Sequence, residues 1–320
     1  MPAIMTDLPL RLGVIGLGAM GAEMLAIAAA HPDVTVVLAA DPGGSALERA
    51  RIAHPDLTVT ADPTEVVSHT GIDAVYIAAP PVTHAGYAIA AMKSGKAVFC
   101  EKPLAIDLAE GEEMVALADA TGLVNALNYT LSDRSAAVEV LRAVRAGEAG
   151  DVLGVDIELL FPEWPREFQK DARWVAGREQ GGFLREVGSH YVFLTDRVLG
   201  PLTPVHTEVS YGEEGESSAT GLFSANGIPV RLLGNVAAGP ETYSWTLHGS
   251  QRSYRITEWG DLSVGDADGW KPVTLSGPRG GEDTRLAEFV GAVRGRPSTL
   301  ADFAAGLRVQ RVIESFHSAE

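Results

Sequence analysis

The chain has 320 residues, 46% hydrophobic and 21% charged, with a formal net charge of −17 and one cysteine. That length suggests two domains with sizeable cores, and the acidic balance argues against nucleic-acid and anionic-membrane partners. Any bound dinucleotide would need locally positive groups. Cys100 alone can form neither an internal disulfide nor a thiolate zinc site; this fits a reducing compartment, so a cytoplasmic location is expected. The opening residues lack a basic start, and no apolar run reaches the roughly 18 residues of a membrane span, so neither a secretory leader nor a span is expected.

In chain order, short apolar runs at 10–15, 34–40, 74–79, 97–100 and 124–127 alternate with helical patterns at 19–30, 45–54, 83–94 and 107–121. Strands buried on both faces read as continuous apolar runs, so this alternation predicts a parallel α/β sheet. A helix at 133–146 ends the first domain or bridges to the second. After Gly150 the strand-like runs follow one another, at 152–160, 203–211, 219–224, 230–236, 243–247 and 253–256. Gly, Pro, Asn and Asp turns separate them, which predicts a mostly antiparallel sheet. A helix at 182–199 interrupts it, helices at 283–293 and 300–318 close the chain, and 213–218 reads as a polar loop.

Gly16-Leu17-Gly18-Ala19-Met20-Gly21 directly follows a predicted strand and opens a helix. Gly16 permits the tight turn, Gly18 lets backbone approach a pyrophosphate, and Gly21 lets helix and strand pack closely. The helix N-terminus supplies free N–H groups and partial positive charge. Asp41 ends the second strand about twenty residues after Gly21, where a carboxylate accepts ribose hydroxyls and repels a 2′-phosphate. The next residues, Pro42, Gly43 and Gly44, offer no arginine, so NAD is favoured over NADP. The fold class expected is an α/β Rossmann domain over 1–128, followed by an α+β domain over 129–320 that has a mostly antiparallel open sheet and includes the C-terminal helices.

Hydride transfer from an alcohol needs a base for the hydroxyl proton and a donor or cation at the oxygen. Glu101-Lys102-Pro103 follows a predicted strand, at the sheet end where ligands bind, so Lys102 reads either as a group for the reacting oxygen or as a solvated lysine. Glu186 precedes His190 by one helical turn and could orient its imidazole; the alternative is a surface ion pair. No third ligand accompanies the pair, so no metal is expected. His84, after the fourth strand, lines a cofactor site or simply opens a helix. The segment 161–180 carries Trp164, Arg166, Arg173, Trp174 and Arg178. Aromatic faces stack on sugars and arginine binds carboxylate or phosphate in two-pronged fashion, so Trp164, Arg173 and Trp174 are candidate substrate contacts; a packing loop is the alternative.

Taken together, the glycine fingerprint, Ala79-Pro80 through His84, Glu101-Lys102-Pro103 and Gly181-Gly182-Phe183-Leu184-Arg185-Glu186-Val187-Gly188-Ser189-His190 resemble the Gfo/Idh/MocA family, named for glucose–fructose oxidoreductase and inositol dehydrogenase. The resemblance covers nearly the whole chain. It implies an NAD(P)-dependent oxidoreductase acting on a sugar, cyclitol or related polyhydroxy substrate. Lys102 would hold the reacting oxygen and His190 would transfer the proton. Ala79, Pro80, His84, Glu101 and Asn128 would lie along the cofactor, the last two near its nicotinamide end. It also implies a cis Lys102–Pro103 bond and a homodimer or homotetramer built on the antiparallel sheet. Two positions depart from the family pattern: Glu186 stands where Asp is usual, and Phe193 where a second Asp is frequent. A non-catalytic dinucleotide-binding regulator and an imine or enone reductase therefore remain alternatives.

Overall fold

The computed structural model describes residues 8–169, 173–213, 215–237, 239–275 and 280–318. They form two compact units: the chain up to Tyr129 together with Gly281–Leu307, and Thr130–Gly280 together with the residues from Arg308 onward.

The first unit runs β1 (Leu10–Ile15), α1 (Ala19–Ala30), β2 (Val34–Ala40), α2 (Gly44–Ala53), β3 (Val59–Thr60), α3 (Pro63–Ser68), β4 (Ala74–Ile77), α4 (His84–Lys93), β5 (Ala97–Cys100), α5 (Leu108–Thr121) and β6 (Asn125–Leu127). Its six strands lie in the order β3-β2-β1-β4-β5-β6, and every pairing is parallel. This is the Rossmann order, which puts the strand carboxyl ends, and the residues that follow them, along one edge. All residues of β4 and β5 are buried, as expected for central strands covered on both faces. Sequence reading missed β3 and α3, which are too short to show periodicity. The signals for α3 were nevertheless present: Asp62 accepts the Thr64 N–H and Pro63 is the first helical residue.

The second unit contains α6 (Ser135–Arg145), β7 (Val152–Phe161), α7 (Ser189–Leu199), β8 (Leu202–Tyr211), β9 (Glu216–Ala225), β10 (Ile228–Val236), β11 (Thr242–Gly249), β12 (Ser253–Thr257), β13 (Asp261–Asp266) and β14 (Gly269–Pro272). The sheet order is β14-β13-β12-β11-β7-β10-β9-β8. The β10–β7 pairing is parallel and the others are antiparallel. Trp245 on β11 is fully buried, and its indole N–H donates to Thr195 Oγ1 of α7 at 2.9 Å. Burial of a large side chain contributes roughly 1.5–3 kcal/mol, and the hydrogen bond keeps the indole nitrogen satisfied.

Three expectations are revised. The closing helices α8 (Glu282–Val293) and α9 (Phe303–His317) do not both belong to the second unit: α8 lies in the first, and α9 is divided between the two at Leu307/Arg308. The reason is apolar. Leu286, Phe289 and Val290 of α8 join the core formed by β1, β4 and β5, with Phe289 stacked on Phe99 at 5.1 Å. Second, 213–218 is not wholly a loop, because Glu216 begins β9 and is buried. Third, the helix expected at 182–199 is two pieces, a π-helical turn Leu184–Gly188 followed by α7. A π turn winds more loosely than an α turn.

Candidate functional site

The glycine fingerprint joins β1 to α1. Gly16 has φ +91°, and a Cβ there would sit 2.5 Å from the Ala78 carbonyl oxygen; a Cβ on Gly21 would sit 1.9 Å from the Gly16 carbonyl oxygen. Both glycines are thus required by close backbone approach. Gly18 is different: a Cβ there would meet nothing within 4 Å. Gly18, Ala19 and Met20 are exposed, and no side chain caps α1. An open helix N-terminus with room above it fits a pyrophosphate. Asp41 reaches back to this turn, its Oδ2 accepting the Leu17 N–H and its Oδ1 the Gly43 N–H, both at 2.7 Å. Each carboxylate oxygen keeps a further lone pair, so the group fits a ribose diol as well.

After β4, the chain passes Ala79 and Pro80 and enters a 3-10 turn, Pro81–Thr83. His84 is buried. Its Nδ1 lies 2.7 Å from the Pro103 carbonyl oxygen and its Nε2 lies 2.9 Å from that of Ala79. Both nitrogens are thus spent on the protein, and His84 pins the loop after β4 to the loop after β5. The Lys102–Pro103 bond is cis.

Lys102, partly exposed, follows Glu101 at the carboxyl end of β5. Glu101 is buried in a network that sequence reading did not anticipate. The Tyr76 hydroxyl donates to Glu101 Oε1, as does Asn128 Nδ2 at 2.6 Å. Asn128 Nδ2 also donates to Glu282 Oε2 at 2.7 Å, and its Oδ1 accepts from Arg285 Nε at 2.6 Å. Arg285 closes the circuit by pairing with Glu282 one helical turn away. Burial, and then the nearby Glu282 carboxylate, push the Glu101 pKa up to about 7, against the two donated hydrogen bonds and Lys102. Glu101 and Asn128, each expected near the nicotinamide end, are therefore hydrogen-bonded to each other. Glu282 and Arg285 carried no local signal.

In the second unit the Gly181-Gly182 pair makes room for a carboxylate. A Cβ on Gly182, at φ +98°, would lie 2.2 Å from Glu216 Oε1. Glu216 Oε2 accepts the Leu184 N–H at 2.9 Å, at the start of the π turn. Burial raises the Glu216 pKa to about 7 despite that bond. Along the π turn and α7, Glu186 accepts from Gln169 Nε2 at 3.3 Å, and His190 Nδ1 accepts the backbone N–H of Thr130 at 3.1 Å. In the neutral ring the proton then resides on Nε2. Phe193, at one of the departures from the family pattern, is buried.

The segment after β7 places its aromatics unevenly. Trp164 packs edge-on against Phe161 at 5.0 Å and Phe183 at 6.3 Å, and its indole N–H donates to the Val175 carbonyl. Trp174 is half-buried in a 3-10 turn, Arg173–Val175, and the side chain of Arg173 lies outside the described residues. The aromatic that stands next to His190 is one sequence reading did not single out. Trp259 lies 5.2 Å from the imidazole, nearly perpendicular to it, and 5.3 Å from both Tyr191 and Tyr243. A Glu-Trp-Gly turn between two strands gave no cue of this.

Comparison with known proteins agrees with this architecture. The family model described as the GFO/IDH/MocA oxidoreductase family, NAD-binding Rossmann fold, matches residues 10–129, and the GFO/IDH/MocA C-terminal domain model matches 138–255. Inositol 2-dehydrogenase 1 of Saccharopolyspora erythraea is 38% identical over 146 residues, 44% of this chain and 43% of that enzyme, so the matched stretch spans less than half its length. The dTDP-3,4-didehydro-2,6-dideoxy-alpha-D-glucose 3-reductase of Streptomyces violaceoruber is 30% identical over 275 residues, 78% of this chain and 77% of that enzyme. A 3-ketoreductase of Actinomadura kijaniata, solved with NADP and TDP-benzene, superposes with a TM-score of 0.82 at 20% identity over 97% of both chains, a likeness of fold. Fingerprint, strand order and matched domains together establish that this chain belongs to the GFO/IDH/MocA family of oxidoreductases and carries its NAD(P)-binding Rossmann domain.

Proposed function

We propose that the protein transfers hydride between NAD(P) and a sugar, cyclitol or related polyhydroxy compound, with Lys102 polarising the reacting oxygen and His190 exchanging its proton. The observation that carries this reading is the setting of Lys102: an ammonium at the carboxyl end of β5, directly after a buried carboxylate held by Tyr76 and Asn128. The nicotinamide, when bound, supplies or accepts the hydride. Lys102 stabilises negative charge on the oxygen as it develops. His190 offers Nε2 for this exchange, because Nδ1 is occupied by Thr130. Uptake at Nε2 uses the Nδ1–H tautomer and release from Nε2 uses the imidazolium; in both, Nδ1 carries a proton and gives up the Thr130 N–H bond. Glu186, joined to Gln169, serves as the carboxylate on the approach to His190.

The related enzymes are named for a cyclitol and a dTDP-sugar, which supports a ring polyol or its ketone as substrate. Asp41 favours NAD, since its carboxylate faces the turn where a 2′-phosphate would be repelled. The test is NAD(P) turnover with a panel of sugars, cyclitols and ketosugars. Lys102→Ala is expected to lower kcat by roughly 100-fold or more. Equal turnover by wild type and variant would remove Lys102 from the chemistry, and cofactor binding without turnover on any substrate would favour a regulator.

A further inference from the structure

Arg166 is a half-buried guanidinium set among uncharged groups. It lies 5.4 Å from the Trp164 ring centre and 4.6 Å from that of Phe168. Its Nε donates to Gln169 Oε1 at 2.8 Å and its Nη1 to the Tyr243 hydroxyl at 3.4 Å. Among the described residues no carboxylate is paired with it; Glu186 and Glu241 act on it only through space, and burial draws its pKa below the ordinary value. The fully buried arginines are treated differently. Arg185 grips Glu314 with two bonds, at 2.8 and 2.7 Å, and Arg285 pairs with Glu282. Removing a guanidinium from water without a counter-anion is costly, so such a group is retained where an anion comes to it.

Its surroundings lead to the imidazole. Tyr243, which receives the Arg166 bond, packs on Trp259 at 5.3 Å, and Trp259 packs on His190 at 5.2 Å. Gln169, the other partner of Arg166, extends to Glu186. Trp259 is held there by a strained turn. The Gly260 N–H donates to the Thr257 carbonyl at 3.0 Å, and the two central residues, Glu258 and Trp259, have φ of 45° and 63°. Hairpin turns of this kind normally take Asn-Gly, because side chains resist the left-handed region. The strain leaves a half-exposed indole beside His190.

We propose that Arg166, Tyr243 and Trp259 form an oxyanion-binding subsite next to His190, so that the substrate is a ring polyol bearing a carboxylate or a phosphate. The indole takes the C–H face of the ring. Of the five N–H donors of the guanidinium, two are used within the protein, and the remainder on Nη1 and Nη2 suit bidentate capture of an oxyanion. This rests on the hydride-transfer reading above, and its test is independent of turnover. NAD-loaded wild type, Arg166→Met and Arg166→Lys are titrated with two matched sets, glucose, glucuronate and glucose 6-phosphate, and myo-inositol and its 1-phosphate. Tryptophan fluorescence and calorimetry report binding, kcat and KM are measured wherever turnover occurs, and circular dichroism checks folding.

Wild type is expected to bind at least one anionic member at least tenfold more tightly than its neutral counterpart. Arg166→Met is expected to weaken that member roughly 100-fold, through KM rather than kcat, and to leave the neutral one within threefold. Arg166→Lys, which keeps the charge but not the fork, falls between. Preference for glucuronate identifies a sugar acid, and preference for the phosphates identifies a phosphorylated or nucleotide-linked sugar. Equal binding of neutral and anionic members by wild type, or equal weakening of both by Arg166→Met, overturns the subsite. Loss of the Lys102 effect, by contrast, overturns the hydride-transfer reading and leaves these binding results standing.

Discussion

Replacing Glu101 with glutamine is expected to flatten the pH dependence of the first unit's stability. Burial and the Glu282 carboxylate hold the folded pKa of Glu101 at about 7, against an ordinary 4.5. The folded state therefore binds this proton more tightly than the unfolded state does. The stabilisation is fully present below about pH 4.5 and is lost as pH rises through about 7. At about 1.4 kcal/mol per pH unit, that interval is worth roughly 3 kcal/mol, and the urea midpoint should fall by roughly 1–2 M between pH 4.5 and 8. Glutamine keeps an oxygen that can accept from Tyr76 and Asn128 but cannot ionise, so the variant should lose most of this slope and be the more stable form at pH 8. All five tryptophans lie in the second unit, so fluorescence follows that unit, and far-ultraviolet circular dichroism, which sums both units, brings in the first. Glu216, raised to about 7 in the second unit, provides the counterpart: Glu216→Gln should flatten the fluorescence-detected slope. A flat wild-type profile, or a slope unchanged in Glu101→Gln, would refute the reasoning.

Other expectations concern the cofactor and the assembly. Gly21→Ala places a Cβ 1.9 Å from the Gly16 carbonyl oxygen and should weaken NADH binding at least tenfold in a fluorescence titration; unchanged affinity would mean that the turn does not hold the pyrophosphate. If Asp41 faces the adenosine ribose as proposed, Asp41→Ser should shift the NADP/NAD ratio of kcat/KM upward by about tenfold, or about 1.4 kcal/mol. Leu222 and Leu233 are exposed on neighbouring strands β9 and β10, so a homodimer or homotetramer through this face is expected. Sedimentation should show the oligomer in wild type and smaller species in Leu233→Arg, and a purely monomeric wild type would contradict it.

Much of the fold could be read locally. The runs at 10–15, 34–40 and 97–100 coincide with β1, β2 and β5, because a central parallel strand must be apolar throughout. Gly16 and Gly21 could be assigned because backbone proximity excludes every side chain at those positions. The weak points were short or peripheral elements. β3 has two residues, too few for periodicity, and β13 and β14 are interrupted by Gly and Asp. The π turn at Leu184–Gly188 was hidden because its composition is that of an ordinary helix.

The linear order of residues was enough to specify which chemical groups the chain possesses and which strand end each one follows: the glycine turn, Asp41, Lys102 and His190 are all punctuation of local elements. Partnership was settled by packing across long separations. Arg285 meets Asn128 from 157 positions away, Glu216 reaches Leu184 from 32 positions away, and Trp259 reaches His190 from another part of the sheet. Such encounters leave no periodic trace, because hydrophobic patterning records which face of an element is buried and not which polar group waits there. Burial then altered the chemistry itself, taking two carboxylates to a pKa of about 7 and leaving the Arg166 guanidinium among neutral neighbours.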